Sequence, residues 1–300
     1  MKKGITKILS ACVFAFVVFL AAGTQSKAAV NMGVKQTGAG SSYVDLAWDA
    51  QLGAGHYHTQ FSQDGKNWID MDNSSSPSES VYNLTQGASY YARVVAYKGS
   101  HYTGTHVMIG VSETAIVSTK PTEVSGLTQT AAGVNSVSMS WNASAGAASY
   151  VIYGYINYNW TQIGTSATNS ATITGVAATT STRFSVAAVK NVTGGTVTGD
   201  QCSGVEMKAI PIKVSRIAMQ YYWDSLKEAK YIWTDVNNAD GYQYEVKSAN
   251  GKKTYFRATS TNSYTYVKPF PRGIFVKARV RAYVTVGNKV YYGAWSPYTY

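Results

Sequence analysis

One spacing recurs three times along the chain and restricts its fold more than any other feature. A Trp closes an alternating run and a Tyr follows nine residues later: Trp48 to Tyr57, Trp141 to Tyr150, and Trp233 to Tyr242. The runs read Val44-Asp-Leu-Ala-Trp48, Val137-Ser-Met-Ser-Trp141 and Lys230-Tyr-Ile-Trp233, and a short turn containing Gly, Ala or Asp leads into each Tyr. Some 45 residues after each Trp stands a Val-x-Ala step: Val94-Val95-Ala96, Val186-Ala187-Ala188 and Val280-Arg281-Ala282. The copies lie about 92 residues apart, so the chain is a tandem of similar units.

Each landmark calls for a strand. Tyr90, Ala92, Val94 and Ala96 share one face of a period-two run, as a strand with one buried side requires. Each core is then expected to join a Trp from one strand, a Tyr from its hairpin partner, and a small-residue strand that lets two sheets approach. The 24 Tyr, 27 Gly and 6 Pro agree with strands and tight turns, because branched and aromatic side chains suit a pleated, half-buried surface. Lys120-Pro121 and Pro211-Ile212 mark the boundaries, since Pro has no N–H for a ladder. The expected units are 29–120, 121–212 and 213–300, joined by short linkers into a semi-stiff rod.

The Trp, the Tyr nine residues on, and Leu84-Thr-Gln-Gly-Ala-Ser-Tyr90 followed by Val94 and Ala96 resemble fibronectin type III domains. The resemblance covers essentially the whole chain after residue 28. It implies an all-β fold of three tandem immunoglobulin-like (fibronectin type III) β-sandwiches, with the Trp on strand B and Leu84 to Tyr90 forming a tyrosine corner before strand F. Thr182 and Val276 stand in the place of Tyr90, so the corner is expected in the first unit and not in the others. The closing run Tyr291-Tyr-Gly-Ala-Trp295-Ser is similar to the last strand of such domains in bacterial surface proteins.

Residues 1–28 read as a secretory signal peptide: Lys2, Lys3 and Lys7, an apolar run from Ile8 to Ala22, then Ser26-Lys27-Ala28 before the cut. The uninterrupted apolar run Ala11 to Gly23 is short for about 30 Å of hydrocarbon. The mature chain is thus expected outside the cell, at the cell wall or free, with no membrane anchor. Cys12 leaves with the signal, so Cys202 remains as a single thiol and no intramolecular disulfide forms.

No motif for hydrolytic, phosphoryl-transfer or metal-hydrolase chemistry occurs: there is no Gly-x-Ser-x-Gly, His-Glu-x-x-His, phosphate-cradling Gly loop or paired-Cys knuckle. The expectation is a protein that is not an enzyme and needs no cofactor. All four histidines, His56, His58, His101 and His106, fall in the first unit. With Tyr57 pointing inward, His56 and His58 share an outer face. His101 and His106 flank the next hairpin, so two or three imidazoles can converge on a Zn²⁺-type ion. Asp70-Met-Asp72-Asn73 lacks the mid-loop Gly and spacing of a calcium loop.

Charge is the strongest asymmetry. Residues 29–120 carry 5 basic and 7 acidic side chains, residues 121–212 carry 3 of each, and residues 213–300 carry 14 basic and 5 acidic. The last unit also gathers Tyr221, Tyr222, Trp223, Tyr264, Tyr266, Tyr291, Tyr292, Trp295 and Tyr298. A basic surface with exposed aromatics attracts polyanions and stacks on sugars. Lys277, Arg279 and Arg281 alternate along one strand as an exposed basic stripe, and with Tyr291, Tyr292 and Trp295 they are the candidate ligand-binding residues. The partner is expected to be a cell-wall polyanion, a glycan or another extracellular protein, not nucleic acid. The leading reading is a secreted binding, adhesion or spacer protein. The second is a carbohydrate-binding accessory of polysaccharide breakdown, whose mark is a row of exposed Trp and Tyr and binding that resists salt.

Overall fold

A computed structural model of the chain describes residues 29–99, 106–178, 181–271 and 273–300. The expected signal peptide and His101 lie outside the described residues. Every regular element among those residues is a strand. They form three tandem β-sandwiches of the fibronectin type III kind, each closing on its own apolar core.

The first sandwich contains β1 (Lys35–Ala39), β2 (Val44–Ala47), β3 (His56–Ser62), β4 (Ile69–Ser74), β5 (Ser78–Val81), β6 (Ser89–Lys98), β7 (Val107–Val111) and β8 (Ala115–Ser118). One sheet runs β1-β2-β5; the other runs β4-β3-β6-β7, with β8 also pairing β6. The second comprises β9 (Thr128–Gly133), β10 (Ser136–Ser140), β11 (Ser149–Ile156), β12 (Asn159–Ser166), β13 (Ser170–Thr174), β14 (Thr182–Val192), β15 (Gly195–Thr198) and β16 (Val205–Met207). Its sheets are β13-β10-β9 and β12-β11-β14-β15, with β16 on β14. The third has β17 (Ile217–Trp223), β18 (Glu228–Trp233), β19 (Gly241–Ser248), β20 (Thr254–Ser260), β21 (Tyr264–Val267), β22 (Val276–Val286) and β23 (Lys289–Tyr292), in sheets β17-β18-β21 and β20-β19-β22-β23.

The repeated Trp and Tyr meet in each core. Their ring centroids are 5.4, 5.3 and 5.4 Å apart and the planes stand at 67°, 68° and 60°, the edge-to-face arrangement that aromatic quadrupoles favour. Each Tyr also does polar work. Tyr57 Oη accepts from the Gln51 amide at 3.0 Å, Tyr150 Oη from Ser144 at 3.0 Å, and Tyr242 Oη from Val236 at 2.8 Å. The nine-residue spacing is the length of chain that leaves one sheet at the Trp, turns under the phenol and enters the other sheet at the Tyr. The expected tyrosine corner is present in the first sandwich, where Tyr90 Oη accepts from Thr85 N–H at 3.0 Å.

A second threefold device lies opposite each Val-x-Ala step. Ser112 N–H donates to Val94 O at 2.8 Å, and Val94 N–H returns a bond to Ser112 Oγ at 2.8 Å. Ser296 and Val280 repeat this pair at 2.7 and 3.0 Å. In the second sandwich Cys202 takes the position: its N–H reaches Val186 O at 3.0 Å, and its Sγ accepts from Val186 N–H at 3.3 Å. The last strand bends out of the ladder here, so a side chain must satisfy the amide it abandons. The Cys202 thiol, buried, is a hydroxyl substitute.

Consecutive sandwiches touch. Lys190 of the second is buried, and its ammonium donates to Gly87 O of the first. Beside it, Thr193 N–H donates to Ile116 O at 2.8 Å and Ile116 N–H donates to Thr193 Oγ1 at 2.7 Å. Across the next junction Lys208 pairs with Asp240 at 2.8 Å. A Cβ on Gly293 would stand 2.6 Å from the Pro211 carbonyl oxygen, so the chain entering the third sandwich presses on its last strand where no side chain intervenes.

Cys202→Ser is expected to leave stability within about 1 kcal/mol of the parent. Cys202→Ala strands the buried Val186 amide and is expected to cost about 1–3 kcal/mol. Urea unfolding of both variants measures the difference.

Candidate functional site

The basic stripe lies on the outer face of the four-stranded sheet in the third sandwich. Ala278, Val280 and Ala282 of β22 enter the core, which turns Lys277, Arg279 and Arg281 outward. Register sets Lys247 opposite Lys277, Glu245 opposite Arg279 and Gln243 opposite Arg281, with Arg257 of β20 on the far side of Glu245.

Glu245 organises this face. Its side chain is 0% exposed although it points away from the core, because cations and a ring cover it. Arg257 Nη2 approaches Oε2 at 2.5 Å, Arg279 Nε approaches Oε1 at 2.5 Å, and Lys247 Nζ lies 3.2 Å from Oε1. Tyr298 donates to Oε1 at 3.3 Å. Burial pushes the carboxyl up, but hydrogen bonds from Arg257, Lys247 and Arg279 outweigh it and hold the group at about 2. Arg281 uses the neutral acceptor instead, with Nη2 and Nε at 2.6 and 2.9 Å from Gln243 Oε1.

Aromatic rings complete the arrangement. The Arg281 guanidinium carbon is 3.8 Å from the Tyr292 ring centre and 4.5 Å from that of Trp295. That of Arg279 is 4.4 Å from Trp295 and 4.8 Å from Tyr298, and Lys277 Nζ is 4.6 Å from Tyr298. The order is therefore ring, cation, ring, cation, ring, cation: Tyr292, Arg281, Trp295, Arg279, Tyr298, Lys277. Trp295 and Tyr298 arrive on the closing segment, which is tied to β22 through Ser296 N–H to Val280 O at 2.7 Å and the Ala278–Thr299 bridge at 2.9 Å.

Two sequence expectations change. The stripe is not freely exposed: the Arg279 side chain keeps 23% of its surface, since pairing and stacking draw it down onto the sheet. Tyr291 separates from the other candidates. It sits opposite Val284, on the reverse face of β23, and its hydroxyl lies 3.5 Å from Thr130 O of the second sandwich. Lys247, Arg257, Glu245 and Tyr298 join the site instead. Five cations face one carboxylate, so the surface stays strongly positive.

The histidines of the first sandwich also gather. His56 and His58 share the outer face of β3, with ring centres 5.4 Å apart, and His106 lies 5.4 and 6.1 Å from them. His56 is buried there because Tyr97 stacks on it at 5.2 Å and 10°, and its Nδ1 is 3.0 Å from Gly99 O. Among the described residues no trio of His, Cys, Asp or Glu is arranged to hold a metal ion. Tyr97 packs against all three rings, with centroids 5.2, 4.9 and 4.9 Å from those of His56, His58 and His106.

No family model and no curated protein matches the chain. Among solved structures, the chain is similar to the crystal structure of chicken CNTN1 FN1-FN3 domains, at 15% identity and a TM-score of 0.36, covering 89% of this chain and 96% of that one. It is also similar to a two fibronectin type-III domain segment from chicken tenascin, at 17% identity and a TM-score of 0.31, covering 59% of this chain and 97% of that one. The sheet order within each sandwich, and not the degree of overlap, carries the fold assignment.

The depressed carboxyl of Glu245 contributes stability above its ordinary value of 4.5, and that contribution is lost as pH falls toward 2. Acid titration followed by tryptophan fluorescence is expected to show the third sandwich weakening across this window. Glu245→Gln removes that pH dependence and costs about 3 kcal/mol at neutral pH, because the cations lose their shared partner.

Proposed function

We propose that this protein is a secreted, non-catalytic binder and spacer of the bacterial surface, and that its third sandwich holds an anionic wall polymer or acidic glycan. The observation that carries this reading is the stack of cations and rings on β22. Lys277, Arg279 and Arg281 recur at every second residue, which sets them about 7 Å apart along a straight line. Rings on either side restrain the two guanidinium groups, so less side-chain freedom is lost on binding than for free surface arginines. A linear polymer bearing regularly spaced phosphates or carboxylates can lie along such a row.

The other sandwiches support the division of labour. The first carries more acidic than basic residues and the second carries equal numbers, so neither attracts a polyanion. Their mutual contacts through Lys190 and Thr193 suit a spacer that holds the basic sandwich away from whatever engages the first.

Sedimentation of the chain without residues 1–28 with purified bacterial cell wall tests the reading. Binding is expected to weaken progressively as salt rises, since screening lengths shrink from about 10 Å at 0.1 M to 3 Å at 1 M. Arg279→Gln with Arg281→Gln is expected to reduce binding by about tenfold or more. Retention that is indifferent to both salt and the double substitution excludes the ladder as the binding surface.

A further inference from the structure

The opposite sheet of the third sandwich carries a surface that the fold does not require. Register places Tyr266 and Tyr221 on either side of Lys230, Tyr264 beside Ile232, and Trp223 beside Glu228. All point away from the core, because Ala229, Tyr231 and Trp233 of β18 point into it. Trp223, Tyr264 and Tyr266 are 41%, 39% and 45% exposed.

The sister sandwiches supply an internal control. Three residues before the core Trp stand Asp45, Ser138 and Lys230, flanked in register by Gly38 and Ser80, by Ala131 and Thr172, and by Tyr221 and Tyr266. One residue before the Trp stand Ala47, Ser140 and Ile232, facing Ser78, Ser170 and Tyr264. At the same register, the positions flanking this strand are filled twice by small or hydroxylated residues and once by aromatics. Sheet stability therefore does not explain the rings, and exposed aromatic clusters of this kind mark contact sites.

The chemistry of the surface selects the occupant. Lys230 Nζ lies 5.6, 5.0 and 5.7 Å from the centres of Tyr221, Tyr264 and Tyr266. Tyr221 packs on Trp223 at 4.1 Å. Ring faces are electron-rich and attract weakly positive C–H groups, while the phenol hydroxyls and Lys230 ammonium supply hydrogen bonds. A wholly apolar partner would strip water from those polar groups without replacing it. Lys230 and Glu228 balance one another in charge, unlike the five cations on the other sheet, so nothing here favours a polyanion. From Trp223 to Tyr264 the surface spans four residues of β18, about 14 Å, room for more than one sugar ring.

We infer that the outer face of β17-β18-β21 is a second binding site, for an uncharged glycan whose sugar rings stack on Trp223, Tyr264 and Tyr266 with Lys230 and the tyrosine hydroxyls as hydrogen-bond partners. This site stands independently of the cation ladder, and binding to it is indifferent to salt.

The test is retention of the chain without residues 1–28 on insoluble cellulose, chitin and xylan, at low salt and at about 1 M NaCl. Binding to at least one of the three is expected, equal at both salts, and unchanged by Arg279→Gln with Arg281→Gln. Tyr264→Ser with Tyr266→Thr, which copies Ser170 and Thr172 of the second sandwich, is expected to reduce that binding about tenfold or more. Trp223→Ser alone, at an exposed position, repeats the test with little risk to folding, and thermal unfolding checks both variants. Failure to bind all three glycans, binding that salt abolishes, or full retention by both folded variants overturns the inference.

Discussion

A phenol hydroxyl that accepts a backbone amide beneath an indole ring is the constraint from which the rest of this structure follows. In each sandwich the Trp enters the core from one sheet and the Tyr from the other, so the pair fixes both the separation of the sheets and the path of the chain between them. The accepted amide belongs each time to the third residue after the Trp: Gln51, Ser144 and Val236. That bond pins the crossing turn, and an aromatic pair of this geometry adds about 0.5–1.5 kcal/mol beyond its burial. With the crossing set, the Val-x-Ala strand must be slim enough to lie beneath both rings.

Because the interior is so similar from one copy to the next, the copies differ on their outward faces. The second sandwich covers its three-stranded sheet with hydroxyls, as in the Ser138–Thr172 contact at 2.9 Å. The third replaces that cover with tyrosine and tryptophan, and loads its other sheet with arginine. Glu245 makes the second change tolerable: without one shared carboxylate, Arg257, Arg279 and Lys247 would repel across neighbouring strands. A negative charge thus allows the positive surface to be dense.

Much of this was readable from residue order alone. The Trp, the Tyr and the Val-x-Ala step are periodic and fall on strands whose inward side is set by alternation, so the cores and the fold class were legible. Alternation also separates Tyr291 from Tyr292, a distinction that grouping the closing aromatics overlooked. The partnership of Glu245 with Arg257 and Arg279 was not legible, since it depends on register between strands 12 and 34 residues distant. Nor was the burial of His56, which comes from a ring on the neighbouring strand. The aromatic face around Lys230 had a sequence signal in principle: reading each copy at a fixed offset from its Trp sets Lys230 against Asp45 and Ser138.

The place of Cys202 has a practical corollary. Its sulfur is engaged by a main-chain N–H inside the second sandwich, so oxidants and alkylating reagents meet it only when that sandwich opens. Labelling rate then becomes a direct gauge of how often the central module breathes, with no engineered probe, and two folded copies have no route to a covalent dimer through this residue.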